Sequence, residues 1–218
     1  MERFLILDKY NTWYDWHLIL SAKEYTPPEI KTNTVDIDGM NGSLDLTEAL
    51  TGEPTYKDGE FNATLWTDYG KRQDREDLFK SIIKAVHGRK IRLIEPDNPN
   101  HYLVGRITVG DKENNLAYMS FKIKVTCEPW LYAIEETTRL ITLAKADADI
   151  VLINNGVKTL CPTITVNGKA TITIDGFAPI ELITGVHIIS DLKLKQGATV
   201  VKVSGSGTVT FTYREAEF

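Results

Sequence analysis

The sequence predicts a mainly β protein carrying a single α-helix, and three observations support that expectation. Apolar and polar residues alternate over most of the chain, the mark of half-buried strands. Helical spacing of apolar residues occurs in one stretch only. Turn-forming residues recur at short intervals through the second half, as in closely spaced strands of a compact β-sandwich. The 218 residues, 42% hydrophobic and 25% charged, suffice for one large β domain or two modest ones with cores of their own.

Taken in order, the first signal is the aromatic cluster Trp13, Tyr14 and Trp16. Alternation there places Tyr14 and Trp16 on one face and Asp15 and His17 on the other, with Trp13 near a strand end. After the double proline Pro27-Pro28, residues Ile30 to Ile37 alternate as a strand. It stops at Asp38-Gly39-Met40-Asn41-Gly42, where Gly39 and Gly42 supply the positive φ of tight turns. A polar loop comes next, and a second strand begins near Phe61, leading to Trp66 and Tyr69.

The helix is expected over 74–87. Leu78, Phe79, Ile82, Ile83 and Val86 recur at helical spacing, acids fill the first turn, Lys84 and His87 the last, and Gly88 stands at the C′ position. Strands are then expected at Lys90 to Glu95, Tyr102 to Val109 and Tyr118 to Thr126, with a turn from Gly110 to Asn115. In the last of these strands, Phe121, Ile123 and Val125 share a face. Pro129 cannot serve a central ladder, so the pattern is expected to break there. The domain boundary is placed at this point, giving domains 1–131 and 132–218.

In the second domain, Asn167-Gly168 between Thr163–Val166 and Thr171–Ile174 reads as a two-residue type I′ hairpin. Asp175-Gly176 offers a further turn before a strand from Pro179 to Thr184. Ser204-Gly205-Ser206-Gly207 reads as a turn between the strands Thr199–Val203 and Thr208–Tyr213, the latter with Val209, Phe211 and Tyr213 on one face.

Several function classes find no support. A net charge of -5 and a pI near 5.5 disfavour a nucleic-acid partner, which needs clustered Lys and Arg. No run of about 18 apolar residues exists to span a membrane, and Met1 to Asp8 has too short an apolar core for a secretory signal. The expected site of synthesis is therefore the cytosol. Cys127 and Cys161 form no disulfide framework and no zinc pattern, and read as buried thiols, with a bridge between them left open.

His17, His87, His101 and His187 lie on separate elements, so no metal set is expected. The acid pairs Asp36 with Asp38 and Asp45 with Glu48 read as solvated turn residues, with calcium binding or acid–base chemistry as the sharper alternative. Ser206 lacks the helix that a nucleophile elbow requires, and Gly168-Lys169 lacks the rest of a phosphate loop. Asn62-Ala63-Thr64 matches a glycosylation sequon, which has meaning only in a secretory pathway. No catalytic residue and no cofactor is expected. Trp13, Trp16, Trp66 and Tyr69 remain as candidates for a subunit interface, since exposed aromatics anchor such contacts.

The order of the motifs is informative. Pro27-Pro28-Glu29-Ile30-Lys31 feeds a strand that ends in Asp38-Gly39-Met40-Asn41-Gly42-Ser43-Leu44-Asp45. Tyr56 to Leu65 forms the next strand entry, and the helix closed by His87-Gly88 precedes Asp97, Pro99, Tyr102 and Gly105. Asn154-Asn155-Gly156, then Cys161-Pro162-Thr163-Ile164, and a final Leu192 to Arg214 complete the series. Over essentially the whole chain this layout resembles the distal tail proteins (Dit) of long-tailed bacteriophages and prophages of Gram-positive hosts. Asp38 stands where that family's turn usually has proline, and Gly59 stands in place of an arginine.

The resemblance implies an N-terminal β domain with one helix, assembled as a six-membered ring around the tail channel, and a C-terminal galectin-like β-sandwich. It implies a virion tail-tip location, with the tail-tube protein, the tail-associated lysin or hub protein and receptor-binding proteins as neighbours. Galectin-like describes topology only, since the sugar-contacting His, Asn, Arg and Trp set of galectins is missing. Two other classes fit less of the sequence: a carbohydrate-binding module recognising cell-wall glycans through its aromatics, and a glycan- or peptide-cleaving enzyme.

Overall fold

The computed structural model describes residues 3–143 and 147–218, and within them alternation and turn chemistry produce fifteen strands and one helix. Met1 and Glu2, which begin the expected first domain, lie outside the described residues. The chain divides into two compact units, one containing the chain to Leu131 together with Phe218, the other Tyr132–Glu217.

In the first unit the elements are β1 (Ile6–Leu7), β2 (Tyr10–Asn11), β3 (Ile19–Thr26), β4 (Thr34–Asp36), β5 (Ser43–Asp45), β6 (Gly59–Thr67), α1 (Arg72–Val86), β7 (Lys90–Ile94), β8 (His101–Asn114) and β9 (Met119–Ala133). The main sheet has the order β2-β1-β7-β8-β9-β6-β3. Phe121, Ile123 and Val125 of β9 and Phe61, Ala63 and Leu65 of β6 are buried on one face, as alternation requires. Ile82 and Val86 of α1 close that core, and Phe79 meets Phe121 edge to face at 5.2 Å.

The helix ends obey their local chemistry. The Lys71 N–H donates to Asp74 Oδ2 (2.9 Å), and Gly88, at φ 74, turns the chain so that its N–H reaches Ile107 O (2.8 Å). Beside the expected acids, the first turn also holds a buried cation, Arg75. Its guanidinium donates to Asn114 Oδ1 (3.2 Å), Gly70 O (2.7 Å), Asn115 O (2.8 Å) and Leu116 O (3.2 Å), with no carboxylate in the set. It therefore ties the β8–β9 turn to the start of the helix.

Two boundaries differ from expectation. Of the turn expected from Gly110 to Asn115, all but Asn115 is part of β8, and the reversal is set by Asn115, whose Oδ1 accepts from the Ala117 and Tyr118 N–H groups. Pro129 does not interrupt β9, which runs on to Ala133, and the pairing with β6 ends before the proline, at Cys127.

Gly39 and Gly42 take φ 84 and 79, as the turn chemistry predicts. The stretch beyond Gly42 is more than a polar loop: β5 returns to pair with β4, Val35 opposite Leu44 and Asp36 opposite Ser43. Backbone bonds extend this ribbon through Leu46 N–H to Asn33 O (2.7 Å), Lys31 N–H to Thr55 O (2.8 Å) and Lys57 N–H to Glu29 O (2.8 Å).

The second unit contains β10 (Thr137–Leu143), β11 (Ala148–Asn154), β12 (Thr163–Thr173), β13 (Ile180–Ile188), β14 (Gly197–Tyr213) and β15 (Ala216–Glu217). The first five of these form one sheet in the order β10-β14-β12-β13, with β11 also on β14. Of the three expected glycine turns, the one at Asp175-Gly176 is present, with Gly176 at φ 79, and the other two are not. Asn167 and Gly168 lie inside β12, and Ser204 to Gly207 lie inside β14. Their glycines serve a close approach between strands. Gly168 (φ 121) faces Gly207 (φ 101), and Ala170 faces Gly205 (φ 132).

Opposite these glycines β12 bulges against β13, between Val166 and Lys169. At the same level β14 exchanges one neighbour for another, pairing with β11 over Gly197–Val203 and with β10 over Gly207–Tyr213. Glycines and a bulge at one level are the devices by which a strand turns a corner. The sheet curls accordingly, and Val201 and Val203 from one half of β14 share a core with Val209, Phe211 and Tyr213 from the other. The mainly β class with a single helix thus matches the sequence expectation.

Candidate subunit interface

The aromatic residues near the amino terminus sit on a tight turn and not on a strand. The Asp15 N–H donates to Asn11 O (3.0 Å) and the His17 N–H to Trp13 O (2.9 Å), each four residues back. Asn11 Oδ1 caps the turn by accepting from the Trp13 (2.9 Å) and Tyr14 (3.1 Å) N–H groups. Beneath it the buried Thr12 Oγ1 accepts from the Leu5 N–H (2.9 Å). His17 leaves the turn at φ 54, a left-handed backbone that costs a non-glycine residue about 1 kcal/mol.

This geometry separates the four candidates. Trp16 points inward, buried in the core and stacked on Tyr10 at 4.9 Å, so it is a packing residue. Trp66 is half-buried within β6. Trp13 and Tyr69 are the exposed pair, at 42% and 62%, and His17 joins them: its ring lies 6.1 Å from Trp13 and 4.2 Å from Tyr69. Tyr14, 74% exposed, extends the surface toward Phe4 at 6.3 Å. Sequence reasoning misses His17 and Tyr14, because strand alternation separates residues that a turn of i to i−4 spacing brings together.

The remaining polar residues have local duties. Asp36 accepts from Ser43 Oγ (2.6 Å) and Asp45 from the Thr47 N–H (2.9 Å). The bonds from Thr47 hold the Asp45 carboxyl below its usual range. His87 Nδ1 accepts from the Val109 N–H (3.1 Å), His101 pairs with Asn98 (2.8 Å), and His187 bonds Ile183 O (2.8 Å). Among the described residues no three His, Cys, Asp or Glu side chains stand together as a metal site.

Both cysteines are free. Cys127 is buried, but Cys161 is exposed, contrary to the reading of two buried thiols. No helix of the described residues is long and apolar enough to cross a membrane.

An open hollow of about 600 Å³ lies on the sheet face away from the helix, bordered by Asn62, Thr64, Thr108, Lys122 and Lys124. Its nearby acid Glu60 is ion-paired with Lys124, which holds the carboxyl below its ordinary value. Glu24 and Asp111 also line it, together with Lys23.

No family model matches the chain, and no curated protein matches it in sequence. The fold, however, is similar to the crystal structure of the Dit protein (gp 19.1) of phage SPP1, a paradigm of the hub adsorption apparatus in phages that infect Gram-positive bacteria. The similarity covers 97% of this chain and 98% of that one, with a TM-score of 0.69 at 15% sequence identity. The chain therefore has a Dit-like fold along its whole length.

Proposed function

We propose that this chain is a structural virion protein, the distal tail or baseplate hub of a long-tailed phage or prophage. Copies of it close into a ring, six in number on the family resemblance, and leave a channel for DNA. The ring joins the tail tube on one side to the tail-associated lysin or hub protein and the host-adsorption apparatus on the other. It is made in the host cytoplasm and resides at the tail tip. No catalysis is assigned to it.

One observation carries this reading: a single hub protein accounts for both units of the fold at nearly full coverage of each chain. Charge supports it. A net -5 suits a lumen that lets DNA pass, since a basic lumen would hold the phosphate backbone. Exposed aromatics at Trp13 and Tyr69 suit contact with neighbouring subunits, where such residues concentrate binding energy.

The test of location is immunogold electron microscopy with an antibody raised against the chain, applied to the particles that carry it. Label confined to the distal tail end is expected. Label on the capsid, or none on intact particles, contradicts the assignment.

A further inference from the structure

The sequence holds three Asn–Gly pairs: Asn41-Gly42, Asn155-Gly156 and Asn167-Gly168. Each carries a latent reaction. The glycine amide nitrogen has no side chain of its own residue to shield it, and it stands one bond short of a five-membered ring with the asparagine Cγ. The structure separates the three pairs by what holds that nitrogen.

Two of them are held. The Gly156 N–H donates to Asn154 Oδ1 (3.0 Å), and Gly156 is buried so closely against Ala216 that a Cβ would stand 2.4 Å from Ala216 O. The Asn155 Nδ2 is also engaged, donating to Glu215 Oε1 (3.1 Å). The Gly168 N–H donates to Thr184 Oγ1 (3.0 Å), inside a ladder that pairs Asn167 with Thr208 and Gly168 with Gly207. Either nitrogen reaches its asparagine only after local opening, a handicap of roughly tenfold or more in rate.

Asn41-Gly42 differs on each count. It lies in the reversal between β4 and β5, outside both strands, and both residues are exposed. Among the described residues, neither the Gly42 N–H nor the Asn41 side-chain amide forms a hydrogen bond. Nothing lies within 4 Å of the point a Gly42 Cβ would occupy, so the space beside the nitrogen is open. No residue from 26 to 58 is buried, so the reversal can change shape without disturbing a core.

We propose that Asn41 is a site of spontaneous deamidation in the folded protein. The Gly42 amide gives its proton to hydroxide, and its nitrogen attacks Asn41 Cγ. The N–Cγ bond forms, the Cγ–Nδ2 bond breaks, and ammonia leaves with a proton taken from water. Water then opens the succinimide at one of its two carbonyls. Attack at Cγ leaves aspartate at position 41. Attack at the Asn41 backbone carbonyl leaves isoaspartate, whose extra main-chain methylene lengthens the reversal. Either product adds a carboxylate to residues 27–58, which already hold seven against two lysines. The ribbon thus ages toward a more acidic form, whatever the chain's place in a particle.

The test incubates the folded full-length protein in mildly alkaline and mildly acidic buffers made with water enriched in heavy oxygen. Trypsin digestion and mass spectrometry then map the acids formed. The peptide 32–57, bounded by Lys31 and Lys57, is expected to exchange the Asn41 amide for an acid that carries heavy oxygen. Conversion should quicken with pH, yield aspartate and isoaspartate together, and outpace Asn155 and Asn167 roughly tenfold or more. N41S is expected to lose the reaction from this peptide and keep the wild-type circular dichroism spectrum.

An Asn41 that keeps its amide as long as Asn155 and Asn167 do overturns the proposal. So does conversion that occurs only in urea, or at a rate indifferent to pH. A synthetic peptide of residues 32–57 supplies the rate of the unfolded segment. Folded protein is expected to react within a few-fold of it, and a slowing of more than roughly tenfold shows that the fold protects Asn41 and overturns the proposal as well.

Discussion

Gly168 faces Gly207 across the β12–β14 ladder at a distance that no side chain tolerates. A Cβ on Gly168 would stand 2.1 Å from Ser206 O, and one on Gly207 1.9 Å from Asn167 O. Both residues also have positive φ. G168A and G207A are each expected to destabilise the second unit by about 3 kcal/mol or more, combining backbone strain with strand separation. G39A is the comparison, since Gly39 has φ 84 but open space around it. It should cost only about 1 kcal/mol. Urea unfolding followed by fluorescence and circular dichroism distinguishes the two cases.

Arg75 makes the next expectation. Replacing it by methionine removes donors from the carbonyls of Gly70, Asn115 and Leu116 at once. R75M is expected to lower stability by about 3 kcal/mol, and R75K by nearly as much, because an ammonium cannot reproduce the planar fork. Hydrogen exchange should quicken at Ala117 and Tyr118, in the turn that Arg75 anchors.

The two thiols should behave differently. Burial pushes the Cys127 thiol up to about 12, whereas Cys161 is exposed. A thiol-specific reagent at neutral pH is expected to modify one cysteine rapidly, and C161S should abolish that phase. Cys127 should react only on unfolding. Rapid modification of both would contradict the packing of the first core.

Acid should weaken the first unit through Glu60, Glu76 and Asp77. Side-chain hydrogen bonds from Lys124, Lys112 and Lys80 respectively hold these carboxyls below their ordinary values. A carboxyl depressed in the folded state adds stability above its unfolded value, and that stability is lost as pH falls through the folded one. Unfolding free energy is therefore expected to fall once pH drops below about 4.5, with E76Q showing a shallower decline. These groups are largely solvated, so salt should flatten the difference.

Much of the fold is legible because burial obeys strict periods. The faces Phe121–Ile123–Val125 and Val209–Phe211–Tyr213, the helix and its terminal Gly88 all come from spacing alone. Glycine is ambiguous in a way spacing cannot resolve. A positive φ serves a tight hairpin at Gly39 and a close strand approach at Gly168, and the local sequence is alike in both. Arg75 is illegible for a similar reason, since a charge in a helix's first turn usually faces water and the carbonyls that bury it come from some 40 residues away.

The candidate interface is half legible. Trp13 and Tyr69 are identifiable as aromatics outside a clear core pattern. The turn that directs Trp16 inward and brings His17 between the other two depends on Asn11 and Thr12, whose hydrogen bonds leave no periodic trace. That β4 and β5 form an unburied ribbon is hidden in the sequence, because such a ribbon alternates just as a strand of a sheet does.

The mass and shape of the purified protein test the central claim most directly. Light scattering combined with negative-stain electron microscopy should find a particle several times the mass of one chain, seen end-on as a closed ring with an open centre. A chain that remains single at every concentration and binds cell-wall polysaccharide instead would contradict the account.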